Sequence, residues 1–113
     1  MHELSIAKSI LDIALRRAQE GGFQRIRSIH VQVGRLSGIE PESLRFCFGV
    51  LSADTLAQSA ALEVEILSLR GRCRVCGGEF DLPEIDLVCP ACHHGDLEVI
   101  SGTEMVMDRM EVE

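Results

Sequence analysis

Five cysteines lie in this chain, and four of them form the pattern that most restricts its fold. Cys73-Arg-Val-Cys76 is followed, after twelve residues, by Cys89-Pro-Ala-Cys92. Two residues between paired thiols let a tight turn aim both sulfurs at one centre. Two such pairs complete the tetrahedral thiolate set that zinc takes. Gly77 and Gly78 come straight after the first pair and are expected to supply the positive φ that such a knuckle needs. Two disulfides would require an oxidising compartment. The opening Met-His-Glu-Leu-Ser has no basic segment leading into an apolar run, so a cytoplasmic location with reduced thiols is expected. Iron in a rubredoxin-like site stays open as an alternative, because iron also accepts four thiolates. Thiol–disulfide exchange at a single CxxC lacks the βαβ context that goes with it.

At 113 residues the chain is one small domain, or one domain carrying a metal-stapled module. It has four Phe and neither Trp nor Tyr, so its core must be aliphatic. Its formal charge of −7 argues against nucleic acid, which is bound by Lys and Arg that displace counterions. Filling the cysteine site replaces four thiol protons by a dication and makes the chain more negative still. No apolar run is long enough for a membrane span. A nucleophile–base pair and a glycine-rich phosphate loop are both missing, so an enzyme is not expected.

Leu4, Ala7, Leu11, Ala14, Leu15 and Ala18, widened by Ile10, recur at helical spacing and predict a helix over 4–20, stopped by Gly21-Gly22. Ile29, Val31 and Val33 alternate with His30 and Gln32, which predicts a strand with His30 on a solvated face. A loop over 34–40 leads to Pro41 at the first position of a second helix. Leu44, Phe48 and Leu51 share one face of it, with Cys47 beside them as a small buried apolar residue. Glu40 and Glu42 flank its positive end, where the macrodipole favours them without any metal.

Residues 61–69 alternate again and run into the cysteine module, in which Glu79–Leu82 and Ile85–Val88 read as short strands around Pro83. Leu97 and Val99 suggest another strand. The last, over 105–112, puts Val106, Met110 and Val112 on one face that Asp108 interrupts. It is expected to return to the first two strands. The fold class is therefore α+β: two helices on a three-stranded sheet, 1–70 plus 103–113, with a small all-β zinc-ribbon-like module inserted at 71–102. About thirty residues bury too little to fold alone, so the metal must hold the module together. A hinge at Leu69–Gly71 would permit exchange of the module between copies, which leaves homo-oligomers open.

The amino end permits a second kind of metal chemistry. The α-amine of Met1, the amide nitrogen of His2 and the His2 imidazole Nδ1 can close two adjacent chelate rings, and the amide of Glu3 can complete a planar nitrogen set. Such donors select nickel(II) or copper(II) over zinc. Amides in the first turn of a helix have no intrahelical acceptor, so these nitrogens are available. The same residues also read as a plain frayed end.

Taken together, the Met-His-Glu-Leu-Ser start, Gly-Arg-Leu-Ser-Gly-Ile-Glu-Pro-Glu-Ser-Leu-Arg-Phe at 34–46 and the two CxxC pairs resemble the HypA/HybF family of hydrogenase maturation factors over essentially the whole chain. That resemblance implies a nickel metallochaperone with a nickel domain of two helices and a three-stranded sheet, and an inserted zinc domain. It implies that His2 is the nickel ligand, assisted by backbone nitrogens of Met1 to Glu3, and that Cys73, Cys76, Cys89 and Cys92 hold structural zinc. The partners it implies are the GTPase HypB and the large-subunit precursor of [NiFe]-hydrogenase, with urease served by some relatives. His93-His94 after the second CxxC departs from relatives that carry Gly or a single His there. It reads as two exposed polar residues, or as a flanking group that tunes the zinc site with pH. The rival from another class is a zinc-ribbon interaction module without nickel, and a third is a small iron electron carrier.

Overall fold

A computed structural model describes residues 2–82, 88–95 and 97–113, without the His2 side chain. Its contacts divide into two compact units. One takes in the chain up to Gln32, Ile39–Glu65 and Val106–Glu113; the other takes in Val33–Gly38 and Ile66–Met105.

The first unit begins with helix α1, His2–Glu20, two residues earlier than the apolar stripe suggests. Ala7, Ile10, Leu11, Ala14 and Ala18 are buried along one face. Leu4 continues the spacing but is 52% exposed, so the stripe ends one turn short of the helix. At the other end Gly22 adopts φ +73. Its amide bonds to the Gln19 carbonyl, and the Phe23 amide bonds to that of Ala18. This is the paired closure in which a left-handed glycine satisfies the last carbonyls of a helix.

Helix α2, Pro41–Ser52, starts on Glu40, whose carboxylate accepts from the amides of Glu42 at 3.2 Å and Ser43 at 2.8 Å. Glu40 is thus a hydrogen-bonding cap as well as a charge at a dipole. Leu44 and Phe48 are buried. Arg45 Nε donates to the Leu62 carbonyl at 3.2 Å and ties α2 to the next strand.

Strands β1 (Ile26–Gly34), β2 (Ala61–Leu67) and β6 (Met105–Val112) form a sheet in the order β2-β1-β6, so the final strand does return to the first. Ile29, Val31 and Val33 are fully buried. Burial along β6 changes phase after Asp108: Met105, Met107, Met110 and Val112 are half-buried, whereas Val106, Asp108, Arg109 and Glu111 are exposed. The apolar face is therefore not interrupted by Asp108, and Val106 does not belong to it. One residue of phase slip moves each side chain across the sheet.

The second unit is built on strand β3, Leu69–Cys73, which pairs antiparallel with β4 (Glu79–Leu82) and with β5 (Leu97–Ser101). Leu69–Gly71 is consequently no hinge. These residues are the centre of a sheet, bonded on both sides. Leu69, Cys73, Leu82, Cys89 and Leu97 form the core, with Leu36, Phe80, Cys92 and Val99 against it. Arg70 and Arg72 alternate onto the other face and meet Asp81, Glu79 and Glu98.

The segment after β1 docks in this unit: the Leu36 amide bonds to the Gly102 carbonyl at 2.6 Å. A Cβ on Gly34 would lie 2.2 Å from the Gly102 backbone, so only glycine allows that approach. The strand expected over 85–88 falls, apart from Val88, outside the described residues, and Val88 is a bend. Among the described residues no helix is long and apolar enough to cross a membrane.

Candidate metal centre

The two CxxC segments fold into the same knuckle twice. In the first, the Cys73 amide bonds to the Gly78 carbonyl at 2.8 Å and the Gly77 amide returns to the Cys73 carbonyl at 2.9 Å. In the second, Cys89 bonds to the His94 carbonyl at 2.8 Å and the His93 amide returns to Cys89 at 2.9 Å. Four residues after the leading cysteine each turn needs a left-handed backbone. Gly77 supplies φ +76 in one and His93 φ +64 in the other. Gly78 takes no positive φ. Its lack of a side chain matters for space instead, since a Cβ there would lie 2.5 Å from the Phe80 ring.

The knuckles turn their amides on the sulfurs. Val75 and Cys76 donate to Cys73 Sγ, and Cys92 donates to Cys89 Sγ, each at 3.4 Å. All four sulfurs fall within 4.8 Å of one another. Cys73 and Cys92 are 3.5 Å apart, and Cys76 and Cys89 are 3.7 Å apart. Sulfurs bound at about 2.3 Å to one tetrahedral zinc stand about 3.7–3.8 Å apart, so the residues present fit such an ion. Cys73 and Cys89 are fully buried, and Cys76 is exposed.

The electrostatics of the quartet point the same way. The Cys92 amide, with that of Ala91 and the neighbouring thiols, lowers the Cys89 thiol to about 6. The Cys76 amide, with that of Val75, lowers Cys73. The other member of each pair moves upward. Cys92 receives the His94 amide, which favours its thiolate, but burial and the three other sulfurs override this and push it to about 12. Cys76 is helped by the Gly78 amide and still raised by Cys89, burial and Cys73. Each knuckle thus prepares one thiolate. Four thiolates together repel one another, and a dication at their centre is what lets the remaining pair ionise.

At the amino end, Met1 and the His2 side chain lie outside the described residues, so the proposed imidazole and amine ligands are not placed. The backbone of His2 is the first residue of α1. Glu3 accepts from the Glu40 amide at 3.1 Å, which joins the start of α1 to the cap of α2. A cleft of about 450 Å³ opens there, lined by Glu3, Leu4, Glu42, Ser43, Phe46 and Cys47. Cys47 is half-buried in its wall, not packed away as a core residue.

His30 also differs from expectation. It is 9% exposed, with Nδ1 2.5 Å from Asp108 Oδ1 and Nε2 3.4 Å from Glu65 Oε1. The hydrogen bond from His30, aided by its charge and that of Arg109, holds the Asp108 carboxyl below its ordinary value. An alternating strand pattern shows only that His30 leaves the apolar face. Its partners come from positions 65 and 108, beyond the reach of any local signal.

A protein-family model described as "Hydrogenase/urease nickel incorporation, metallochaperone, hypA" matches residues 1–112. Among curated relatives, a hydrogenase maturation factor HypA of Chlorobaculum tepidum is 41% identical over 113 residues, covering the whole of both chains. One of Pelodictyon phaeoclathratiforme is 40% identical over all of this chain and 97% of its own, and one of Dehalococcoides mccartyi 37% over all of this chain and 95% of its own. The fold matches a solution structure of a HypA protein with TM-score 0.74 at 23% identity, over all of this chain and 97% of that one. It also matches that of the Ni metallochaperone HypA from Helicobacter pylori with TM-score 0.66 at 21% identity, over 97% and 96%.

Proposed function

This chain belongs to the HypA family of nickel-incorporation metallochaperones, and from that premise we propose that it carries Ni(II) at its amino end and delivers it during maturation of [NiFe]-hydrogenase. The observation that carries the reading is that the family match starts at residue 1 and α1 starts at His2. The backbone nitrogens of His2 and Glu3 then fall in the first turn of α1, at the positive end of its dipole, which favours a deprotonated amide. Together with the Met1 amine and the His2 imidazole they make a planar nitrogen set suited to nickel(II). The ion is cargo, so its affinity must be modest. A Kd near 1 μM corresponds to about 8 kcal/mol, which a recipient site can exceed.

Zinc is proposed at Cys73, Cys76, Cys89 and Cys92, where it closes a tetrahedral thiolate cage and supplies folding energy, not chemistry. The nickel domain is assigned to 1–70 plus 103–113 and the zinc domain to 71–102; the two compact units divide the chain in a similar way, except that residues 33–38, 66–70 and 103–105 fall in the second. A HypB-type GTPase and the hydrogenase large-subunit precursor are the proposed partners, with urease as a further recipient. The chain acts without catalysing a reaction, in a cytoplasm that keeps its thiols reduced.

Nickel titration of untagged protein, followed by elemental analysis, tests the assignment. His2→Ala is expected to abolish nickel uptake while zinc content and fold persist, and a peptide fused ahead of Met1 to weaken it. Nickel uptake that survives both changes refutes the amino-end site. A protein that takes only zinc is the zinc-ribbon interaction module instead.

A further inference from the structure

Each knuckle has an inner and an outer sulfur. The inner ones, Cys73 and Cys89, are fully buried. Cys73 Sγ accepts from the amides of Val75 and Cys76, and Cys89 Sγ from those of Ala91 and Cys92. The outer ones receive one amide each among the described residues, Gly78 to Cys76 and His94 to Cys92. Hydrogen bonds that stabilise a thiolate also make it the weaker nucleophile, so the outer pair keeps more of its reactivity.

Exposure then separates the outer two: Cys76 is exposed, and Cys92 is half-buried. The residues that follow them explain the difference at Cys76. Gly77-Gly78 come after Cys76, where His93-His94 come after Cys92. A Cβ on Gly78 would lie 3.6 Å from Cys76 Sγ, and one on Gly77 would meet nothing within 4 Å. The side chain missing at 78 leaves the flank of that sulfur open. Val75, one residue earlier, is 56% exposed, so the turn projects into solvent. A thiolate so placed meets a dissolved oxidant ahead of its three companions. Cys89 Sγ stands 3.7 Å away in the other knuckle, and a disulfide at about 2.0 Å needs the two sulfurs to close by only about 1.7 Å.

Resting on the zinc reading above, we propose that Cys76 is an oxidant-sensing thiolate: a hydroperoxide oxidises it, Cys89 closes a disulfide onto it across the knuckles, and the zinc is released. Cys76 Sγ attacks one peroxide oxygen, the O–O bond breaks, and the other oxygen leaves as hydroxide and is protonated to water. The sulfur gives up two electrons and becomes a sulfenic acid. Cys89 Sγ attacks that sulfur, the S–S bond forms, the S–O bond breaks, and a second hydroxide takes a proton. Two thiolates, one peroxide and two protons thus give one disulfide and two waters. Cys73 and Cys92 remain, too few ligands for a closed structural site. The sulfur stops at the disulfide, so a dithiol reverses the change.

The test starts from Cys47→Ala, which leaves the quartet as the only thiols. Elemental analysis comes first. A chain purified without zinc overturns the zinc reading and this inference with it, whereas zinc that stays in place under excess hydrogen peroxide overturns this inference alone. Peroxide is added with a colorimetric zinc indicator, and samples quenched at partial reaction are trapped with dimedone, alkylated and mapped by mass spectrometry. Zinc release, dimedone on Cys76 and a first disulfide between Cys76 and Cys89 are expected, and a dithiol with fresh zinc should restore the starting protein. Cys76→His keeps a set of three cysteines and one histidine that zinc accepts, and should release the ion about tenfold more slowly. Cys92→His, the same exchange at the half-buried outer position, should release it at the parent rate. First modification at another cysteine would overturn the proposal, as would a Cys76 disulfide to a partner other than Cys89 or equal protection by the two histidine variants. The mapping uses the parent chain and decides even where a histidine ligand weakens the cage.

Discussion

Stripping the metal from the cysteine quartet should unfold one compact unit and spare the other. In the second unit the core is Leu69, Leu82 and Leu97 packed on Cys73 and Cys89, so metal cage and hydrophobic core are the same object. Each buried leucine contributes about 1.5–3 kcal/mol, and truncating one to alanine costs about 2–5 kcal/mol. Structural zinc in small fingers contributes about 10–16 kcal/mol at neutral pH, several times any single core residue. Removing it also leaves four sulfurs crowded within 4.8 Å. The first unit has its own core around Ile10, Ala14, Ile29, Val31, Leu44 and Phe48 and no share in the cage. Amide hydrogen exchange at pH 7, under reducing conditions, checks this before and after treatment with a tight zinc chelator. Protection at Arg70, Arg72 and Val99 should collapse, protection at Ile29, Val31 and Phe48 should persist, and added zinc should restore the first set. Protected β3 amides in protein shown by elemental analysis to be metal-free would refute the reasoning, as would simultaneous collapse of both units.

Two other outcomes follow from particular residues. His93 holds φ +64 at the position Gly77 fills in the other knuckle, so His93→Gly should stabilise the zinc-loaded second unit by about 0.5–1 kcal/mol, read by denaturant titration. The left-handed penalty of about 1–2 kcal/mol is relieved, partly offset by the freedom glycine adds to the unfolded chain. Asp108 is depressed in the folded state, chiefly by His30. Its contribution is fully present above its unfolded value near 3.8 and is lost as pH falls through the lower folded one. The stability gap between wild type and Asp108→Asn, followed at first-unit amides because acid also strips the metal, should therefore close on acidification below about pH 4.

How much of this was legible beforehand depended on the range of the signal. Cysteine pairs with two residues between them, an apolar residue every third or fourth position in α1, Pro41 after an acidic cap, and alternation in β1 and β2 all act through the backbone within a few residues, and each led to the right kind of element. The three-stranded sheet and the second all-β unit also matched expectation. Leu4 misled because a stripe marks a face without saying how far the neighbouring structure extends over it. Leu69–Gly71 passed for a hinge because a five-residue central strand takes its hydrogen bonds from β4 and β5, one of them almost thirty residues away.

Local order alone thus settled that two short-spaced thiol pairs are on hand for one centre, since covalent spacing decides what a turn can bring together. Tertiary structure alone decided which face β6 presents, that the second knuckle bends a histidine into a glycine's conformation, and that His30 stands between Glu65 and Asp108. Those are consequences of strand pairing across dozens of residues, where side-chain period gives a face and only the register gives a partner.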